Sequence, residues 1–195
     1  MSPRTATLER KTNETEITVS VNIDGTGQTD IRTGIGFLDH MLKALGRHSR
    51  MDIVLVCRGD LVVDDHHTAE DCALALGAAI DKALGERRGF ARFGSAYAPL
   101  DESLARAVVD ISGRPCAVVE LGLTRESIGT LACENVTHFF VSLATTLRAA
   151  IHVDVLRGGN DHHRAEAAFK ALALALRDAL ARTEDTTVPS TKGVL

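Results

Sequence analysis

The sequence predicts an α+β fold in which one half-domain (three strands, a helix, a strand and a helix) is written twice. The product is two four-stranded sheets, each covered by helices. Three observations carry this. Short runs alternate apolar and polar residues at period two, longer runs repeat apolar residues at helical spacing, and the chain matches itself at a nearly fixed offset.

Residues 4–11 and 15–24 are β-prone, and Ile17, Val19, Val21 and Ile23 alternate with polar residues as in a half-buried strand. Asp24-Gly25 marks a tight turn into a third run, 28–33. From Phe37 the period changes: Phe37, Leu38, Met41, Leu42 and Leu45 predict a helix with Gly46 near its end. Residues 51–58 predict a strand, and consecutive Ile53, Val54, Leu55 and Val56 predict burial on both of its faces. A long helix follows over 65–85, with Asp65 the expected N-cap, Leu76, Ile80 and Leu84 a buried stripe, and Gly85 the terminator.

After a turn at 87–89 the order recurs. Strands are predicted near 94–100, 104–112 and 115–122, a helix near 136–149, a strand near 151–157 and a helix over 161–182. Alternating Ala and Leu at 171–176 mimic a strand, but Phe169, Leu172, Leu176 and Leu180 in an Ala-rich context predict a buried helix. At an offset of 96, DDHHTAEDCALALGAAIDKAL faces NDHHRAEAAFKALALALRDAL, and ten of the twenty positions from 65 to 84 are identical. Upstream the offset becomes 98, so that LDHML faces VTHFF and His40 faces His138. The expected organisation is a single domain over 1–195, with repeats at about 4–88 and 92–182 and a C-terminal tail at 183–195.

Composition narrows the class of protein. A length of 195 residues suits about one domain, and 45% hydrophobic residues supply a sizeable core. The net charge of −4 excludes the strongly basic profile of a general nucleic-acid binder. Cys57, Cys72, Cys116 and Cys133 form no CxxC pair and read as small buried hydrophobes in a reducing compartment. The N-terminus lacks a secretory apolar stretch, and the longest apolar run, 72–80, is too short to span a membrane. The expectation is a soluble, cytoplasmic protein without nucleic-acid or membrane partners.

Six of the eight histidines belong to the repeat: His40, His66 and His67 in the first half, and His138, His162 and His163 in the second. His48 and His152 fall outside it and read as surface or core residues. Glu70 and Glu166 complete the set. On a helix each Glu lies about 40° from the His four places before it and about 60° from the His three before it. The adjacent histidines are about 100° apart, so they flank the carboxylate and point at different ions. Six His and two Glu then divide into two sites of three His and one Glu, a donor set for a divalent transition metal with positions left open. Imidazole alone leaves Zn, Fe, Ni and Mn open. One copy of DHHxxE reads slightly better as polar residues that merely cap a helix; two copies with matching upstream histidines favour metal.

Single cations are less telling. On charge alone Arg92, Arg114, Lys170 and Lys192 each read as solvated charges before anion ligands, and the tail VPSTKGVL as a frayed end before an anion-binding arm. Lys170 faces Leu74 in the repeat, a break in symmetry that could mark the substrate end.

GIGFLDHMLKALGRHS, DDHHTAEDCALALG, RRGFARFGSAYAPLDESLARAVVDISGRP, DHHRAEAAFKALA and PSTKGVL occur in order over essentially the whole chain. Together they resemble the imidazoleglycerol-phosphate dehydratases. The resemblance implies a ribosomal protein S5 domain 2-like fold and two Mn²⁺ ions per active site. The implied metal ligands are His40, His66, His67, Glu70, His138, His162, His163 and Glu166. It further implies a 24-subunit homo-oligomer with active sites between subunits. Arg92, Arg114, Lys170, Ser190 and Lys192 would hold the substrate phosphate, for which planar, permanently charged guanidinium groups are suited. Glu14, in RKTNETEI, matches the family's acidic residue for proton transfer; by itself it reads as an exposed turn residue.

The implied reaction is dehydration of imidazoleglycerol phosphate to imidazole acetol phosphate in histidine biosynthesis. The proton to be lost sits on a carbon with no adjacent carbonyl, which explains a need for metal at the imidazole. The principal alternative from the residues is a metal-dependent hydrolase of a small phosphate ester, which would release phosphate. An S5-like RNA-binding module is opposed by the charge and the 4% aromatic content. A metal-storage shell would bind metal without turnover.

Overall fold

A computed structural model describes residues 3–195. The first half runs β1 (Thr5–Lys11), β2 (Thr15–Asn22), β3 (Thr29–Arg32), α1 (Gly36–Ser49), β4 (Asp52–Gly59) and α2 (His66–Leu84). The second runs β5 (Phe93–Leu100), β6 (Ser103–Asp110), β7 (Cys116–Glu120), a short hairpin β8 (Ser127–Ile128) and β9 (Leu131–Ala132), α3 (Cys133–Leu147), β10 (Ala150–Arg157) and α4 (Asp161–Ala179). The duplicated order is therefore as expected, with the β8–β9 hairpin added.

The sheets have matching topology, β1-β2-β4-β3 and β5-β6-β10-β7. In each, the middle strands pair antiparallel, and the strand before the first helix pairs parallel with the strand after it. Helices α1 and α2 lie on the first sheet, α3 and α4 on the second. Between these layers α2 packs on α3 and α1 on α4, so the principal helix contacts join opposite halves. Leu38, Met41, Leu76, Ile80, Phe139, Phe169 and Leu172 meet in one continuous core.

Close approach of α2 and α3 depends on Gly77: a Cβ there would lie 2.3 Å from Thr146 Oγ1 and 2.7 Å from the Leu143 carbonyl. Thr146 then donates a hydrogen bond to the Leu74 carbonyl across the same contact (2.8 Å).

Three expectations are corrected. Strand β4 is not buried on both faces, since Val54 is 45% exposed; helices cover only one side of this sheet, and alternate residues face away from them. Asp65 does not cap α2. The Asp64 carboxylate accepts from the His66 N–H (2.9 Å), while Asp65 reaches across to the Ala132 N–H (2.7 Å). The repeat partner of Asp64, Asn160, caps α4 in the same way through the His162 N–H (2.9 Å). Cys57, Cys72 and Cys133 are buried, but Cys116 is exposed on edge strand β7. No helix among the described residues is long and apolar enough to cross a membrane.

Candidate metal and substrate site

The helix pairing across halves builds two clusters. His40 on α1 meets His162 and Glu166 on α4, while His138 on α3 meets His66 and Glu70 on α2. In each cluster, donor atoms from all three residues lie within 4.8 Å of one another. His40 Nε2 and His162 Nε2 lie 3.0 and 3.3 Å from Glu166 Oε2, and His138 Nε2 lies 3.2 Å from Glu70 Oε1. Two metal bonds of about 2.1 Å at right angles hold their donor atoms about 3 Å apart, so this spacing and the imidazole–carboxylate chemistry fit a divalent transition ion.

The i,i+4 histidine of each helix, not the i,i+3 one, joins its glutamate. His66 stacks on His138 with ring centroids 4.9 Å apart, and its Nδ1 bonds to Asn135 Oδ1 (2.9 Å). That bond leaves Nε2 of His66 available as the donor. Phe37 packs edge-on to His162 at 5.0 Å.

His67 and His163 stand outside both clusters. Nδ1 of His67 bonds to Asp60 Oδ2 (3.0 Å), and its Nε2 lies 3.6 Å from Glu14 Oε1. Nδ1 of His163 bonds to Glu102 Oε2 (2.8 Å). The carboxylate partner raises the pKa of each ring, Asp60 for His67 and Glu102 for His163. Glu14 sits in the β1–β2 turn, where Thr12 Oγ1 accepts from the N–H groups of Glu14 and Thr15 (3.1 and 3.0 Å). Thr15 and Arg10 both donate to the buried carboxylate of Asp71, tying this turn to α2.

The expected phosphate ligands separate into two places. Lys170 Nζ pairs with Glu166 Oε1 at 2.7 Å. Burial opposes the charge on Glu166, but the Lys170 and His40 hydrogen bonds override it and hold the carboxyl at about 2. Arg92 lies farther along, beside the C-terminal end of α4, to which its N–H bonds through the Ala179 carbonyl (2.8 Å). Its guanidinium pairs with Asp110 (2.7 Å) and donates to the Pro189 carbonyl (2.7 Å), fastening the tail that carries Ser190 and Lys192. Ser190 Oγ accepts from the Lys192 N–H (3.1 Å), and Arg114 lies in the exposed turn after Gly113, which touches Leu195. Nine residues of helix, about 13 Å of rise, separate Lys170 from Ala179, where Arg92 attaches.

Asp60, Glu102 and Asn135 escaped the sequence reading. Glu102 was open to it, because Asn13-Glu14-Thr15 and Asp101-Glu102-Ser103 occupy the same turn of the repeat. His152 is exposed on β10; His48 is half-buried, and burial and then Lys170 lower its pKa. A cavity of about 580 Å³ lined by Glu120, Arg125, Glu126 and Glu134 contains none of the expected site residues.

A family profile described as imidazoleglycerol-phosphate dehydratase matches residues 33–176. Proteins of that name are 57% identical in Phaffia rhodozyma (98% of this chain, 96% of that one) and 56% identical in Chlorobium phaeovibrioides (98% and 95%). One from Phytophthora nicotianae is 59% identical over 98% of this chain, which spans only 42% of that longer protein. Among solved structures, the Staphylococcus aureus enzyme superposes with a TM-score of 0.83 at 37% identity, covering 92% of this chain and 99% of its own. That of Pyrococcus furiosus superposes with a TM-score of 0.84 at 39% identity, covering 96% and 100%. With the profile spanning most of the chain and near full-length relatives above half identity, the chain belongs to the imidazoleglycerol-phosphate dehydratase family.

Proposed function

We propose that this chain dehydrates imidazoleglycerol phosphate to imidazole acetol phosphate in histidine biosynthesis, as a cytoplasmic hydro-lyase with Mn²⁺ as its ion. It acts as one domain over 1–195, with repeats at about 4–88 and 92–182 and a substrate-binding tail at 183–195. The observation that carries the reading is the pair of His₂Glu clusters, each assembled from both halves. A site of three His and one Glu needs one more histidine per cluster. His67 and His163 are the two remaining repeat histidines, and within one chain neither reaches a cluster.

The missing donors therefore come from neighbouring copies in a homo-oligomer, taken here as a 24-mer. The separation of Lys170 from Arg92 and the tail supports the same division between chains. So does the loop before His66, where Val62 is 97% exposed although apolar.

When bound, the ions supply Lewis acidity that eases loss of a proton from the substrate's imidazole. The remaining work falls to side chains. Arg92 and Arg114, with Lys170, Ser190 and Lys192, hold the phosphate and fix the substrate's orientation. Glu14 moves the proton at the carbon that becomes part of the enol, acting as a general base and then an acid.

The test is to strip the protein with a chelator, supply imidazoleglycerol phosphate, and add back Mn²⁺ while following the acetol phosphate product. Activity is expected only after metal returns. No product with any divalent metal, or release of inorganic phosphate instead, overturns the assignment.

A further inference from the structure

The two repeat histidines outside the clusters, His67 and His163, are each held through Nδ1 by a carboxylate, but the carboxylates come from different places in the repeat. In the second half it is Glu102, in the β5–β6 turn. That carboxylate also accepts from the N–H groups of Gly159 and Asn160 (3.1 and 3.0 Å) and from the Ser103 hydroxyl (3.2 Å), so it is committed to four donors. Its counterpart in the first half is Glu14, since β2 begins at Thr15 where β6 begins at Ser103. Glu14 is not used in this way. There the donor from His67 goes to Asp60, which directly follows β4; the residue directly following β10 is Gly158, with no side chain to offer.

Asp60 also reaches Glu14 itself, because its backbone N–H donates to the Glu14 carbonyl at 3.0 Å. One residue thus fixes the His67 ring and the main chain of Glu14, and the Glu14 carboxylate is left 51% exposed beside Nε2. The second oxygen of Asp60, Oδ1, is buried without a hydrogen-bond partner among the described residues. A carboxylate kept half-satisfied is poorly explained by stability alone. A neutral imidazole that donates from Nδ1 keeps its Nε2 lone pair for a metal, and such carboxylate partners set ring orientation and basicity.

We propose that Asp60 is a positioning residue: it presents Nε2 of His67 to the divalent ion and, by taking the place that Glu102 fills in the other half, leaves Glu14 free for the substrate. Glu102 is correspondingly a positioning residue for His163 and not a second base. This rests on the proposed reading of His67 and His163 as metal donors and of Glu14 as the proton carrier.

The experiment is a Mn²⁺ titration of the metal-free protein against a chelating indicator, with turnover measured in parallel. Asp60→Asn and Glu102→Gln should each weaken binding about 10- to 100-fold, with turnover recovering as Mn²⁺ is raised. Glu14→Gln should bind Mn²⁺ as the parent does and stay inactive at every concentration. Asp60→Glu, which keeps the carboxylate, should restore most of the affinity; it also serves where the amide variant folds poorly. Unchanged affinity in Asp60→Asn, equal losses in Glu14→Gln and Asp60→Asn, or no restoration by Asp60→Glu each overturns the proposal. A His67→Ala protein that binds Mn²⁺ normally overturns instead the site reading beneath it.

Discussion

Replacing Arg87 with Met removes a side chain that ties three element ends together where the two halves join. Arg87 is 3% exposed. Its Nε and Nη2 donate to Asp81 on α2 (3.1 and 2.5 Å), and Nη2 also to the Leu147 carbonyl at the end of α3 (2.7 Å). Nη1 makes longer bonds to the Ile111 and Arg148 carbonyls, both 3.4 Å. Breaking a buried pair by removing one partner costs about 3–5 kcal/mol. Here the lower end applies, because Asp81 is 21% exposed and keeps a second partner in Arg148 (3.0 Å).

The lost bond to Leu147, charge-assisted and short, accounts for about 2 kcal/mol of this. A loss of about 3 kcal/mol in a chain this long lowers Tm by roughly 6–12 °C. Thermal and urea unfolding followed by circular dichroism measure it, with Arg88→Met as the control. Arg88 is 57% exposed and among the described residues pairs only with an exposed Glu86, so its removal should cost no more than about 0.5 kcal/mol. Arg87→Lys should recover part of the loss, since an ammonium cannot span the carboxylate and the carbonyls as the guanidinium does. Equal Tm values for the Arg87 and Arg88 variants would falsify the clamp, and full recovery by Lys would reduce it to a simple charge.

Glu166→Gln should lower bound metal from two ions per chain to one, read by elemental analysis after gel filtration; an unchanged ratio removes Glu166 from the ligand set. Arg92→Met should raise KM for the phosphorylated substrate and speed proteolysis of the tail, since it breaks the bond to Pro189; unchanged KM and cleavage rate argue against both roles. Asp24 is held well below the usual carboxylate range by Arg4 and then Arg182. The unfolded chain is protonated first on acidification, so this contribution is present above 3.8 and declines as pH falls towards the lower folded value. Asp24→Asn should accordingly be less stable near neutrality and converge on the parent in acid, whereas a constant gap at all pH values contradicts the linkage. Gly77→Ala should destabilise the fold by about 1–3 kcal/mol through the clash with Thr146 and α3, although Ala favours a helix by about 1 kcal/mol; a stabilised variant refutes the close contact.

Much of this was legible in the residues, and the misses share physical causes. Period and repeat located the four long helices and the eight main strands: the helices and central strands bury a continuous apolar face, and the thinly buried edge strands β3 and β7 were placed by the turn and the repeat. The β8–β9 hairpin has two residues per strand, too few for any period to register. Val54 misled because an apolar residue signals burial without saying on which side a helix lies. Helical geometry separated His66 from His67 and His162 from His163, yet it could not say which of each pair joins the glutamate. That depends on α1 packing against α4 and α2 against α3, a tertiary fact. Asp60 was hidden for a similar reason: six residues from the histidine motif, it meets His67 only because β4 ends beside the start of α2.

The duplication divides the labour. Positions identical in the two halves supply the candidate metal donors, and two equivalent ions need equivalent sites. A substrate with a phosphate at one end and an imidazole at the other has no such symmetry, so the residues that orient it should lie where the repeat fails. Two of the proposed substrate residues show it: Lys170 faces Leu74, and Glu14 is released by Asp60 while its identical counterpart Glu102 is engaged. The Arg10–Asp71–Thr15 network that steadies the Glu14 turn also lacks a copy, because Ala167 stands opposite Asp71. On this reading, histidines and glutamates used alike in the two halves report on metal, whereas Glu14 and Glu102, the same residue in the same turn, report on substrate through the difference in their use.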